Sequence, residues 1–500
     1  MNPTNQKTRS SPAEKRGSIC LVLRTDTPEF VRKTDHKMTE TSRKDKTGGP
    51  SRTKMTVGII TLGCKVNQYE SEAISEKCRE YGLTPQDPSL PCDIYIVNSC
   101  SVTAEADRKS CQMIRRLLSR NPDAAMIVTG CSAQREAERI AGIPGVGYVV
   151  GNASKLKCSK ICSDIFEGRL PAHPIPPVID AGNIDDAPFE SMRIFGYPRT
   201  RHCIKIEDGC ENRCSYCAIP DGRGRVRSKP AKDVVEEALF LCRGGCREIV
   251  LTGIEIASYG RDTGESLAGL LTELDRRCAP LGTRFRMSSV PPDLFSDEFI
   301  DSISGLRSLA PHFHISMQSA SDRILGLMRR HYRSSDAYAS FEKLRERIPG
   351  VMFSADIIVG FPGESPGDFS DTVDFVRETK LIHTHIFPYS RRDGTPAAEM
   401  PGQIPVDEKK RRAALLSVTA QRSRDEALSD FISSGMTADV LVERSAGGIL
   451  RGHSGNYVEV CFEGPAEFKG SIVSVRPLSA EGGICRGVLA VSTDGNLPDG

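Results

Sequence analysis

From residue 55 onward, short apolar runs alternate with amphipathic stretches, a pattern that predicts βα units around parallel sheets. The runs Val57–Leu62, Ile94–Val97 and Ala125–Thr129 read as buried parallel strands, with helices expected near Glu70–Tyr81, Glu105–Ser119 and Ala133–Ala141. Six prolines between residues 169 and 198 interrupt the pattern and predict a linker. A second βα series follows at Cys203–Glu207, Glu248–Thr252, Arg284–Ser288, His312–Met317, Ala355–Val359 and His383–Phe387, enough strands for an open, partial β/α barrel. Beyond a basic helix at Glu408–Ser429 only strands are expected, at Ala438–Glu443, Tyr457–Phe462, Glu467–Val475 and Gly487–Val491. These suit a small barrel of about 60 residues. The expected fold class is therefore α/β: an open parallel N-terminal domain at 55–168, a linker at 169–198, a partial barrel at 199–432 and a small β-barrel at 433–495.

Composition refines this picture. A hydrophobic fraction of 38% with 26% charged residues allows real cores. Apolar runs such as Ala124–Val128 fall far short of the roughly 20 residues of a membrane span, so no membrane partner is expected. Residues 1–54 hold 13 Lys or Arg against 6 Asp or Glu, a net of +7 that leaves −5 on residues 55–500 of a +2 chain. This tail reads as a disordered basic extension, with an RNA-binding arm, an organellar presequence and an artefact of an early start codon as the competing explanations. Its six acids argue against a presequence, and Met55 opens directly onto the first strand, so a dispensable extension is the preferred reading. Any nucleic-acid binding then rests on local patches. The 18 cysteines are too many for an ordinary cytosolic enzyme, and the chain is too large for a disulfide scaffold. Without a secretory apolar stretch, the reading is a cytoplasmic protein whose thiolates hold metal.

Cysteine positions sharpen that reading. Cys64, Cys100 and Cys131 each fall just after a predicted strand and before a helix, about one βαβ unit apart. Open parallel sheets gather ligands at the carboxyl ends of their strands, so three thiolates there can hold three irons of a cubane cluster. The plainer alternative is that small cysteines pack in cores. Cys210, Cys214 and Cys217 form C-x3-C-x2-C directly after the first barrel strand, a loop tight enough to wrap one corner of a 4Fe–4S cluster. Zinc would want a fourth ligand, and the nearest candidates, Cys203 and His202, lie on the strand itself. Cys78, Cys111 and the pairs Cys158/Cys162 and Cys242/Cys246 read as structural.

A C-x3-C-x2-C loop on a β/α barrel resembles the radical S-adenosylmethionine superfamily, and the upstream three-cysteine domain narrows the likeness to the methylthiotransferases. The blocks that carry it are Thr61–Glu70 (TLGCKVNQYE), Asn98–Glu105, Gly130–Gln134, Gly222–Ser228, His314–Ser319, Gly360–Glu364 and Phe387–Ser390. The LGCKVNQYE wording and Ala104–Ser110 resemble the branch acting on N6-threonylcarbamoyladenosine of tRNA. The isopentenyladenosine and ribosomal-protein branches are the alternatives, and a non-catalytic RNA-binding protein with a structural metal is the alternative from another class. Ser99, Glu255 and Ala320 depart from the family pattern.

The resemblance implies insertion of a methylthio group at carbon 2 of the adenine at position 37 of tRNA. It implies two [4Fe–4S] clusters: one on Cys210, Cys214 and Cys217 that cleaves S-adenosylmethionine to a radical, and one on Cys64, Cys100 and Cys131 that carries the sulfur. An electron donor and a sulfur donor, both of unknown identity, are implied partners beside tRNA. Cofactor contacts are expected at Thr252, Gly253, Ser288, Ser289, Gln318 and Gly360, with Ile357 or Ile358 packing on the adenine. RNA contacts are expected at Arg223, Arg225 and Arg227 with Lys229, at Arg329, Arg330, His331 and Arg333, and at Lys409–Arg412. The C-terminal barrel resembles the TRAM module, where Tyr457 and Phe462 are candidates for base stacking. No side chain is singled out as catalytic.

Overall fold

The computed structural model describes residues 54–196 and 200–490. The reading of the basic extension falls, but for Lys54, outside the described residues.

The N-terminal domain is one parallel sheet of β1 (Thr56–Thr61), β2 (Thr84–Gln86), β3 (Ile94–Ser99), β4 (Ala125–Gly130), β5 (Tyr148–Val150) and β6 (Val178–Asp180), in the order β2-β1-β3-β4-β5-β6. Every residue of β3 and β4 is buried, which is why both read as continuous runs rather than alternations. Helix α1 (Lys65–Glu80) follows β1, and α2 (Ala104–Arg120) follows β3. The Thr103 hydroxyl caps α2 by accepting from the Ala106 amide, with Glu105 and Asp107 in the first turn.

The expected linker differs from the structure. Its residues 178–180 pair with β5 as a sixth strand. The Tyr148 hydroxyl donates to the Pro171 carbonyl at 2.6 Å, and the Glu190 carboxylate accepts from the Lys155 and Leu156 amides. The segment is a strap across the domain. Three residues between prolines leave no period to read, so only the pairing partner reveals the strand.

The central barrel comprises β7 (Arg201–Lys205), β8 (Glu248–Thr252), β9 (Arg284–Met287), β10 (His312–Gln318), β11 (Met352–Val359) and β12 (His383–Pro388). Two three-stranded parallel sheets, β9-β8-β7 and β10-β11-β12, are joined through the bridges Phe285–Leu309 and Val290–Ile315 into one open arc. Alternate residues such as Ile249, Phe285, Phe313 and Phe353 pack outward against the helices. The residues between them, among them Glu248, Arg286, His314 and Asp356, line a polar lumen.

After the helix Val406–Ser433, five strands close into the order β13-β14-β15-β17-β16: β13 (Ala438–Ala446), β14 (Ile449–Ser454), β15 (Glu459–Glu463), β16 (Ile472–Glu481) and β17 (Ile484–Leu489). Strand β14, ILRGHS, is absent from the expected set because it alternates around a glycine instead of forming an apolar run. That glycine is required: a Cβ on Gly452 would stand 1.8 Å from the Leu441 carbonyl oxygen. The run expected at Glu467–Val475 instead begins as a short 3-10 turn at Ala466–Phe468, and the strand starts at Ile472.

Candidate cluster and cofactor sites

Cys64, Cys100 and Cys131 stand at the carboxyl ends of β1, β3 and β4, three neighbours in one sheet. Tight backbone turns bring them together. Gly63 has φ +109°, and a Cβ there would lie 2.9 Å from the Cys100 sulfur; Gly130 has φ +97° and packs equally close on Ser99. Burial pushes the Cys100 thiol up to about 12, and its neighbours Cys131 and Cys64 add to the rise. Such a pocket takes thiolates only when a cation compensates them. Arg223 supplies one such charge, its Nε donating to the Cys131 Sγ at 3.3 Å, while Asn152 Nδ2 approaches the same sulfur at 3.7 Å.

The second trio is held as firmly. Gly209, at φ +93°, precedes the loop where a Cβ would meet the Arg225 carbonyl oxygen at 1.8 Å. The Cys210 amide donates to the Gly224 carbonyl, and the Ser215 hydroxyl to that of Leu327 at 2.7 Å. Ser215 also receives the Ala397 amide on its carbonyl. Burial pushes Cys210 and Cys217 up to about 12, and Arg330 Nη1 donates to the Cys214 Sγ at 3.3 Å. Among the described residues, the one His, Cys, Asp or Glu group whose ligand atoms all lie within 4.8 Å of one another is elsewhere, so neither trio is drawn in to single-ion spacing. Tetrahedral zinc at 2.3 Å would bring sulfurs to about 3.8 Å. Both donor sets therefore fit a larger thiolate-bound centre better than one zinc ion.

The N-terminal trio abuts the segment that follows the second: a Cβ on Gly222 would lie 3.5 Å from the Cys131 Cβ. A cavity of about 370 Å³ nearby is lined by Gln134, Cys210, Asp221 and Arg225. Arg223 anchors this junction: it is fully buried and donates to Glu70 of α1, to Asp208 and to Asn67. Lys155 and Lys205 bind the same Glu70, and their cations with Arg223 hold its carboxyl well below the usual range. Arg227 also approaches Asp208, at 3.8 Å, so cations surround both carboxylates of this junction.

Of the expected cofactor residues, Thr252 ends β8 buried, and Gly253 lets the backbone pass Glu207, whose Oε2 would stand 2.5 Å from a Cβ there. Ser288 and Ser289 follow β9, and Gln318 closes β10 in the left-handed region at φ +65°, a strained backbone for a glutamine. At Gly360, with φ +73°, a Cβ would lie 2.4 Å from the Lys409 Cγ, so the aliphatic stem of that lysine packs directly on the glycine. Ile357 packs in the outer core, while Ile358 packs with Phe361 and Tyr216 of the cysteine loop. Glu255, which departs from the family pattern, lines a second cavity with Asn212, Ser258, Arg261, Asp293 and Arg330. Burial raises its carboxyl to about 7, and its Oε1 is buried without a hydrogen-bond partner, as is Oε1 of Glu207. Two under-satisfied carboxylates beside the cysteine loop suit a cationic ligand.

The basic runs divide. Arg223, Arg227 and Lys229 are buried, Lys229 on Glu237, and Arg412 is buried on Glu364; Arg330 is spent on Cys214. None of these presents its charge to an RNA backbone. Arg225, Arg329, His331, Arg333 and Lys410 are exposed. The stacking candidates are also placed otherwise. Phe462 lies in the C-terminal barrel core. Tyr457 stacks between His312 at 4.8 Å and His453 at 5.0 Å, with the Arg286 guanidinium 4.7 Å from its ring. Around it Glu248 binds Arg201, Arg284 and Arg286, and Arg284 donates to the Asp439 and His453 carbonyls. The small barrel thus closes the floor of the lumen. Glu70, Asp208, Lys155 and Glu207 were not anticipated; the one sequence signal was the unusual charge density of Lys205–Asp208 on a strand entering the loop.

Comparison with known proteins places this geometry. Residues 204–376 match the radical SAM superfamily, and residues 56–151 match an uncharacterised family, UPF0004. A threonylcarbamoyladenosine tRNA methylthiotransferase of Bacillus subtilis is 36% identical over 85% of this chain and 94% of its own length. The chain belongs to the radical S-adenosylmethionine methylthiotransferases. A Thermotoga maritima threonylcarbamoyladenosine tRNA methylthiotransferase is 37% identical over 89% of this methylthiotransferase and 99% of its own length. A tRNA-2-methylthio-N(6)-dimethylallyladenosine synthase of Acetivibrio thermocellus is 32% identical over 86% and 90%. The radical S-adenosylmethionine methyltransferase TsrM of Kitasatospora setae shares the fold, with a TM-score of 0.51 at 17% identity over 80% of this chain and 81% of its own. Membership of the superfamily brings a [4Fe–4S] cluster and S-adenosylmethionine as cofactors. Among the described residues no helix is long and apolar enough to cross a membrane.

Proposed function

We propose that this methylthiotransferase acts on carbon 2 of N6-threonylcarbamoyladenosine at position 37 of tRNA. The observation that carries the reading is the pair of separated cysteine trios, one past the strand ends of each α/β domain, in a chain 36–37% identical to two enzymes named for that nucleoside. Cys210, Cys214 and Cys217 hold one [4Fe–4S] cluster, and Cys64, Cys100 and Cys131 hold a second. When bound, the clusters and S-adenosylmethionine supply the radical and sulfur chemistry that an unreactive aromatic C–H demands and no side chain provides. The chain's own groups orient these partners. Glu207 and Glu255 offer carboxylate oxygens to the ammonium of the cofactor's methionine moiety, beside Asn212. Arg330 and Arg223 donate to a sulfur of each trio. Exposed Arg225, Arg329, Arg333 and Lys410 meet the tRNA phosphates, a salt-dependent contribution. The reaction also requires an electron donor and a sulfur donor as partners.

Two measurements test this. Anaerobic reconstitution is expected to give about eight irons per chain, two cubane clusters; four, or zinc in their place, rules out the second cluster. Mass spectrometry of tRNA nucleosides from a deletion strain is expected to show methylthio-threonylcarbamoyladenosine lost. Its persistence, with the isopentenyl nucleoside altered instead, transfers the assignment to that branch.

A further inference from the structure

The lumen holds a cluster that neither cysteine trio uses. His314 of β10, Asp356 of β11 and His385 of β12 come from three neighbouring strands, and one ligand atom from each lies within 4.8 Å of the others. Asp356 and His385 are direct register partners. His314, in register with Ser354 two residues before Asp356, reaches the same point diagonally across the sheet. Both imidazoles approach a single carboxylate oxygen: Asp356 Oδ1 is 3.0 Å from His314 Nε2 and 3.3 Å from His385 Nδ1. The ring centroids are 5.0 Å apart. The environment grades from buried to open, with the His314 side chain 15% exposed, Asp356 23% and His385 56%. Access is therefore from the His385 side, and all three residues are fixed on strands of the sheet.

We propose that His314, Asp356 and His385 form a third metal site, taking one borderline divalent ion of the zinc or ferrous class. Two imidazoles and one carboxylate on one face are the nitrogen and oxygen donors such ions select, whereas magnesium and calcium require oxygen alone. Separations near 3 Å from the shared oxygen match ligands spaced around one ion with bonds of about 2.1 Å. Three ligands leave positions open on the lumen side. The site is close to the chemistry: Ser316, two residues beyond His314, receives Arg330 on its carbonyl at 3.3 Å, and the same guanidinium touches the Cys214 sulfur. A lumen ligand with an oxygen donor would complete the shell of an ion here.

The test uses cluster-loaded full-length protein dialysed against low-micromolar Zn2+. Wild type is expected to retain one zinc per chain beyond its irons, and His385→Ala and Asp356→Asn to bind it at least tenfold more weakly at unchanged iron content. His385 is half exposed, so its truncation leaves the fold intact. Zinc-edge X-ray absorption on wild type is expected to show nitrogen and oxygen neighbours with imidazole scattering. Sulfur neighbours, equal zinc in wild type and both variants, or no zinc above background would each overturn the proposal.

Discussion

Arg223 and Arg330 carry side chains that a basic run disguises. Arg223 sits in Arg-Gly-Arg-Val-Arg, which by itself reads as a solvated patch, yet its partner Glu70 lies 153 residues away and both are fully buried. No local pattern reports such a pair, because the partner is brought by a different domain. A buried ionic network rarely adds net stability over an apolar core, but removing one member leaves the others uncompensated. Arg223→Met is therefore expected to cost about 3–5 kcal/mol. Denaturant unfolding checks this, with the exposed Arg225→Met as the control that stays near wild type; equal midpoints for the two would place Arg223 outside the network. The cysteines behave in the opposite way. Their place in the loops just past β1, β3, β4 and β7 can be read from the local sequence, since positions at strand ends are fixed by topology and not by distant partners.

At the scale of elements, strands with apolar runs or plain alternation were legible, and those whose identity comes from pairing were not. Strand β6 exists because β5 offers an edge, and β14 because Gly452 lets β13 pass. The floor of the lumen is likewise a product of two elements. Glu248 opens β8 and is tied to Arg201, Arg284 and Arg286, which hold its carboxyl well below the usual carboxylate range. A depressed folded value means the native state binds fewer protons than the unfolded chain, so this contribution is full above the unfolded carboxyl value of about 4.3 and is lost as pH falls below it. Glu248→Gln removes the charge that three buried guanidinium groups share, with an expected loss of about 3 kcal/mol near neutral pH. The gap between wild type and variant should shrink as pH is lowered through about 4.3 toward acid. Thermal unfolding across pH 3–7 measures it, and a gap independent of pH would deny the ion network its role at the floor.

For the whole molecule, the decisive property is that the two cysteine-bearing domains of one chain are joined by the buried Glu70–Arg223–Asp208 network. A chain so built cannot exchange one site for that of a neighbour without breaking buried charges. Cys210→Ala, lacking a ligand of the barrel trio, is expected to abolish cleavage of S-adenosylmethionine. Cys100→Ala, lacking one of the N-terminal trio, is expected to retain some cleavage and to form no methylthiolated nucleoside. Each variant should hold about four irons instead of eight. Mixing the two variants extends the argument: every chain in the mixture has one competent trio, yet no chain has both. The mixture is therefore expected to cleave cofactor at the rate of Cys100→Ala alone and to give no methylthiolated tRNA. Product above background in the mixture would mean that the two sites act from separate chains, and would require the buried domain junction to open far enough for one chain's N-terminal domain to serve another's barrel.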